Sequence, residues 1–142
     1  MVLVYTLQKN YNQLKLYSKQ RQNRDIRDKL TLGLYSRLFQ KAGFLAITAA
    51  DGKEGLRIIT EEKPIAAVID YNLPSLSGIE ICEQVRSQEE HSDMKLVLFT
   101  MDDRQETRTR ALQAGANEVV VKSSDASELV DTVIKLLRDG KK

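Results

Sequence analysis

The sequence predicts an α/β domain, a doubly wound parallel sheet of five strands with helices on both faces. Short apolar runs alternate with stretches in which apolar residues recur every three or four positions, and the strand–helix pair occurs five times over. Ile65-Ala66-Ala67-Val68-Ile69 is apolar without interruption, as a central strand covered on both faces requires. Gly43, Gly52, Pro64, Gly78 and Gly115 punctuate the chain where strand and helix signals meet.

Taken in order, Val2-Leu3-Val4-Tyr5-Thr6-Leu7 is β-branched and aromatic and reads as the first strand. Residues 8–25 are polar and basic, with Tyr11, Leu14 and Tyr17 at helical spacing. Ile26, Leu30, Leu34 and Leu38 then recur every four residues, which predicts an amphipathic helix closed by Gly43. That helix begins near Asp25 or as early as Tyr11, and Gly33 costs it a little inside. Residues 44–49 read as the second strand. Asp51 can cap a helix over 53–61, which Pro64 breaks. Residues 65–70 form the third strand and 71–77 a loop holding Pro74; Gly78 opens a helix with Ile79, Cys82 and Val85 on one face. A fourth strand over 95–100 is followed by a helix over 104–114, stopped by Gly115, and by a fifth strand over 118–121. Ser124 or Asp125 caps a last helix that turns Leu129, Val133, Leu136 and Leu137 inward.

Composition narrows the class of function. The 142 residues suit a single domain, 1–142, with 42% hydrophobic and 30% charged residues. No apolar run approaches the length of a membrane span, and no basic residue precedes the first run as a signal peptide would require. One cysteine, Cys82, excludes an internal disulfide, and a reducing, cytoplasmic setting is expected. No Cys/His spacing suggests zinc. The net charge of +2 is unevenly spread: residues 9–29 hold seven basic and two acidic side chains. Such a stretch is either a contact surface for an acidic partner or a solvated face.

In open α/β sheets the site lies at the carboxyl ends of the strands, at the switch point of the strand order. For a flavodoxin-like order 2-1-3-4-5 that point falls between strands 1 and 3. Asp70, Thr100 and Lys122 each follow a predicted strand. An acid, a hydroxyl and an ammonium on one rim suit a phosphate: the carboxylate as nucleophile, the other two as donors to the transferred oxygens. Taken singly, each has a plainer reading as turn former, strand residue or surface cation.

Val68-Ile69-Asp70-Tyr71-Asn72-Leu73-Pro74-Ser75-Leu76-Ser77-Gly78 resembles the phosphorylation loop of two-component receiver domains. The resemblance extends to Gly43, Asp51-Gly52, Leu98-Phe99-Thr100, Ala114-Gly115-Ala116 and Val121-Lys122, and covers roughly residues 26–138 with the first strand. It implies Asp70 as phospho-acceptor, Thr100 as the switch hydroxyl and Lys122 as the cation on the acylphosphate. It also implies Mg2+ as cofactor, with the Asn72 carbonyl as a ligand beside Asp70.

The sequence departs from that pattern in several places. The acidic pair expected at the end of the first strand aligns with Tyr5-Thr6, and the next acid is Asp25. Mg2+ held by Asp70 and one carbonyl would be weakly bound. The segment from Thr6 to Gly43 is 37 residues long, extended by the basic stretch 9–25; Asp25 or Asp28 reaching back to the site is the alternative to a weak metal site. Ser123 stands where the family has proline, and Val120 where an aromatic is frequent. His91, in Glu89-Glu90-His91-Ser92-Asp93, reads as a surface histidine, Cys82 as core, and Glu61-Glu62 and Asp102-Asp103 as helix-end and loop solvation.

The reading is therefore an atypical, pseudo-receiver-like signalling domain, not an enzyme beyond its own phosphorylation. Asp70 would be phosphorylated poorly or without the ordinary metal site, and the resemblance implies output through protein contacts at a face near the fourth helix, fifth strand and fifth helix. A histidine kinase or another signalling protein is the expected partner; a homodimer is compatible; neither membrane nor nucleic acid is expected for this domain alone. Three alternatives remain open at this level. The first is a conventional phospho-accepting receiver. The second is a flavodoxin-like nucleotide binder, disfavoured because residues 8–13 contain no glycine. The third is a nucleic-acid binder acting through residues 9–29.

Overall fold

The computed structural model describes residues 4–8, 33–73, 75–122 and 127–139. The elements are β1 (Val4–Gln8), α1 (Gly33–Lys41), β2 (Leu45–Ala49), α2 (Gly52–Glu62), β3 (Ala66–Asp70), α3 (Gly78–Arg86), a 3-10 turn (Glu89–His91), β4 (Lys95–Thr100), α4 (Gln105–Gln113), β5 (Glu118–Val121) and α5 (Ser127–Asp139). The five strands form one sheet in the order β2-β1-β3-β4-β5, the order expected from the sequence.

Alternation along the strands divides the core into two layers. Ile47, Ala67, Ile69, Leu96, Leu98 and Val119 face Ile58 and Ile59 of α2, Ile81, Cys82 and Val85 of α3, and Ala111 of α4. The intervening residues Ala46, Ala66, Val68, Val97, Phe99 and Val120 face Phe39 of α1 and Leu129, Val130 and Val133 of α5. Both faces of the sheet are thus covered, which is why β3 and β4 are apolar up to their polar ends at Asp70, Lys95 and Thr100. Helix ends follow the expected chemistry. Asp51 accepts from the Glu54 N–H at 2.9 Å, and Ser77 with Glu80 makes a reciprocal capping box at α3. Gly43 takes φ +97° after α1, a conformation glycine adopts without penalty.

The direction of β1 corrects the all-parallel expectation. β3, β4 and β5 are mutually parallel, but β1 runs antiparallel to both neighbours, with Val4 opposite Ala49 and Ile69, Leu7 opposite Ala66, and Gln8 opposite Leu45. A run of β-forming residues specifies a strand but not its direction. Direction is imposed by the connection: a short crossover forces parallel pairing, whereas the long segment before α1 allows either sense. The described part of the first strand is Val4–Gln8, one residue beyond the expected end at Leu7; the expected start at Val2-Leu3 lies outside the described residues. The predictions for residues 9–25, Asp25, Asp28, Pro74, Ser123, Ser124 and Asp125 lie outside the described residues.

His91 is a second correction. It is buried, and neither ring nitrogen has a hydrogen-bond partner. The tight 3-10 turn swings this residue inward while Glu89, Glu90, Ser92 and Asp93 stay exposed, and the Arg86 guanidinium donates to the His91 carbonyl at 3.0 Å. Its polar neighbours in sequence conceal that geometry. Cys82 sits in the core as expected, its thiol pushed up to about 12 by burial, which keeps it protonated and inert.

The reversed β1 has a direct readout. Cross-strand NOEs should connect Val4 with Ile69 and Ala49, and Leu7 with Ala66. Contacts that instead bring Leu7 or Gln8 beside Ile69 would establish the parallel sense and overturn this topology.

Candidate functional site

Asp70 is the last residue of β3, Thr100 the last of β4, and Lys122 the first residue after β5. Register brings them together. Asp70 stands opposite Phe99, Phe99 opposite Val120, and Thr100 opposite Val121. The ladder continues past the strand ends, because the Tyr71 N–H donates to the Phe99 carbonyl (2.9 Å) and the Lys122 N–H to the Thr100 carbonyl (2.7 Å). Three chemically active side chains therefore share one rim because three strands end in step.

Lys122 reaches across β4 to Asp70, with Nζ donating to Oδ2 at 2.5 Å. The same ammonium lies 5.2 Å from the centre of the Phe99 ring, whose face favours a cation. The other Asp70 oxygen, Oδ1, accepts the Asn72 N–H at 3.0 Å. Asp70 is only 8% exposed, so its charge is held by these two donors rather than by bulk water. The chain then turns back over the strand end: the Gly78 N–H bonds the Tyr71 carbonyl at 3.2 Å, and a Cβ at Gly78 would stand 2.7 Å from the Asp70 carbonyl oxygen. That close approach accounts for glycine at this position.

Thr100 is 1% exposed. Its hydroxyl oxygen accepts the Asp102 N–H at 3.0 Å. Asp102, expected to be a solvated loop acid, is instead the centre of the loop between β4 and α4. Its carboxylate accepts the Arg104 N–H (2.9 Å), Arg104 Nε (3.0 Å) and Nη2 (2.7 Å), and the Thr107 hydroxyl (2.7 Å). These donors, led by the Arg104 guanidinium, hold the Asp102 carboxyl well below the usual carboxylate range. Sequence reasoning missed this group; an Asp two positions ahead of a helix N-cap, followed by Arg and Thr, was the available signal. Val120, which stands where the family frequently has an aromatic, is buried in the α1–α5 layer.

The expected metal ligands are met in part. Among the described residues no three His, Cys, Asp or Glu side chains gather to hold a metal ion. Asp70 supplies one carboxylate, and both of its oxygens already have donors. Tyr5 and Thr6, expected to align with an acidic pair at the rim, lie within β1 opposite Val68 and Ala67, and β1 ends at Gln8, level with Leu45 where β2 begins. This donor set does not fit a firmly held Mg2+. The described residues contain no helix long and apolar enough to cross a membrane.

The response regulator receiver domain model matches residues 27–134, so β1 lies outside the match. The transcriptional regulatory protein PrrA of Mycobacterium tuberculosis is 34% identical over 111 residues, covering 78% of this chain and 47% of that protein. The chain thus spans about half the length of that relative. A crystal structure of a response regulator of Chloroflexus aurantiacus, described as putative in its name, is 26% identical with a TM-score of 0.70, covering 80% of this chain and 93% of the other. The receiver domain of the sensor histidine kinase PA1611 of Pseudomonas aeruginosa, solved with a magnesium ion coordinated in its active site cleft, is 27% identical with a TM-score of 0.57, covering 63% of this chain and 73% of the other.

Two outcomes follow from the site. Replacing Lys122 by Met leaves Asp70 with one donor in a nearly buried position, and should cost about 1–3 kcal/mol in urea unfolding, more than Asp70→Asn costs. A variant as stable as the parent would show the pair to be energetically idle. In a carboxyl-carbon NMR titration, Asp102 should remain ionised well below about pH 4, where exposed aspartates protonate. Its depressed value means that the loop's stabilisation is complete above the unfolded-state value and is lost only as the pH falls through the folded one.

Proposed function

We propose a specific role for this chain, which belongs to the response regulator receiver domain family: Asp70 is its phospho-acceptor, and its phosphorylation is slow and only weakly dependent on Mg2+. Signal transduction as a two-component receiver is the family's function; slow, metal-poor phosphorylation is supported by the Asp70–Lys122 ion pair and by the lack, among the described residues, of a cluster of three acidic, histidine or cysteine side chains. In the step, Asp70 Oδ attacks phosphorus, the N–P bond of a phosphohistidine donor breaks, and the freed imidazole nitrogen takes up a proton. Lys122 neutralises the new acylphosphate and Thr100 donates its hydroxyl to a phosphoryl oxygen. Each divalent-cation ligand that the rim lacks leaves more of that charge on Lys122.

The remainder of the reading follows from this role. Residues 1–142 act as one domain in the cytoplasm, receive the phosphoryl group from a histidine kinase or another signalling protein, and pass the signal by protein contacts rather than by catalysis on a further substrate. Transcriptional output, as the name of the mycobacterial relative indicates for that protein, would need a partner or a further segment.

Incubation with acetyl phosphate, with and without Mg2+, followed by intact mass, tests the role. The expected result is slow gain of one phosphoryl group, absent in Asp70→Asn, with less than a severalfold effect of Mg2+. Fast, stoichiometric gain that requires Mg2+ would establish the conventional receiver instead.

A further inference from the structure

The loop between β4 and α4 holds a device that the phospho-acceptor reading does not require. The Thr100 hydroxyl has two lone pairs and one proton. One lone pair takes the Asp102 N–H at 3.0 Å, and the Thr100 carbonyl takes the Lys122 N–H at 2.7 Å. The hydroxyl proton has no acceptor among the described residues. Among the described residues the hydroxyl is therefore oriented but unspent, in a buried position on the same rim as Asp70 and Lys122.

Asp102 can fix that orientation only because it is itself fixed. Its carboxylate ties the Arg104 guanidinium and backbone, at the N-cap of α4, to the buried Thr107 hydroxyl one turn into the same helix. Arg104 has no side-chain cap of its own, so the Asp102 carboxylate anchors the helix start as well as the loop. The connection runs α4, Thr107 and Arg104, Asp102 carboxylate, Asp102 N–H, Thr100 Oγ1.

We propose that Asp102 is a positioning residue, a clamp that couples the N-terminus of α4 to the Thr100 hydroxyl and holds that hydroxyl ready to donate to a phosphoryl oxygen on Asp70. The proposal rests on the reading of Asp70 as acceptor. It assigns no contact between Asp102 and the phosphoryl group; the effect passes through Thr100.

The test uses the full chain and two readouts. Wild type, Asp102→Ala, Thr100→Ala, the double variant and Asp102→Asn are exposed to phosphoramidate, which needs no kinase, and mass gain is followed in time. The Thr100 side-chain rotamer is measured in the unphosphorylated proteins from three-bond couplings to its methyl carbon. Asp102→Ala should slow mass gain about tenfold, as expected when a reacting group loses its orientation. The double variant should be no slower than Thr100→Ala alone, because both changes remove one function. Asp102→Asn should recover part of the rate, since its amide oxygen still accepts from Arg104 or Thr107. Thr100 should occupy one rotamer in wild type and an average of rotamers in Asp102→Ala. Losses that multiply in the double variant, or a Thr100 rotamer indifferent to Asp102→Ala, overturn the clamp. A wild type that never gains mass, while the Thr100 couplings respond as expected, overturns the phospho-acceptor reading and leaves the coupling of Asp102 to Thr100 established.

Discussion

The ion pair between Asp70 and Lys122 is the constraint on which the rest of the rim depends. It joins the ends of β3 and β5 across β4, so it forms only if all three strands are parallel, adjacent and terminated in register. Neither charge is well hydrated: the side chains are 10% and 23% exposed. Withdrawing two charges from water is costly, and the cost is offset here by the pair itself, the Asn72 N–H and the face of Phe99. Phe99 is thus a core residue of the α1–α5 layer and at the same time the wall along which Lys122 travels. The close turn at Gly78 follows from the same demand, because the loop must fold back tightly to leave the carboxylate facing the rim.

The sequence made the class, the strand order and the three rim residues legible for identifiable reasons. β3 and β4 are covered on both faces, so their residues form unbroken apolar runs whose ends are sharp, and a polar residue at such an end is conspicuous. Asp51 and Ser77 are caps whose chemistry is local and therefore readable. The direction of β1 was not readable, because five β-forming residues carry no sense of direction and the connection after them is too long to impose one. His91 was misread because its neighbours are charged while the turn that buries it depends on Arg86, well outside the local pattern. Asp102 was taken for a solvated acid, since its role depends on where Arg104 and Thr107 stand after α4 begins, a three-dimensional fact with no periodicity.

The reversal of β1 bears on the charge balance of the rim. A parallel first strand would deliver the residues after it to the level of Asp70. The antiparallel strand ends level with the start of β2 and β3, so the residues that close β1 stand at the opposite edge of the sheet. On the rim Asp70 and Lys122 stand in contact, a neutral pair. A neutral pair attracts a divalent cation far less than a cluster of carboxylates does, since the strength of such a site rises with ligand charge. A rim of this composition therefore relies on fixed donors.

Adding a phosphoryl group to such a pair changes the balance sharply. The new group brings close to two negative charges, and Lys122 offers one positive charge in return. The remainder must be met by hydrogen-bond donors whose orientation is set before the charge arrives, because preorganised dipoles stabilise a new charge without a further cost of rearrangement. Among the described residues Thr100 is a buried donor on this rim, and its hydroxyl is oriented from behind by the Asp102 N–H. Thr100 thus matters more as the metal contribution falls. The Asp102 carboxylate, held by Arg104 and Thr107, stands outside the site, yet it governs how well the Thr100 hydroxyl is aimed.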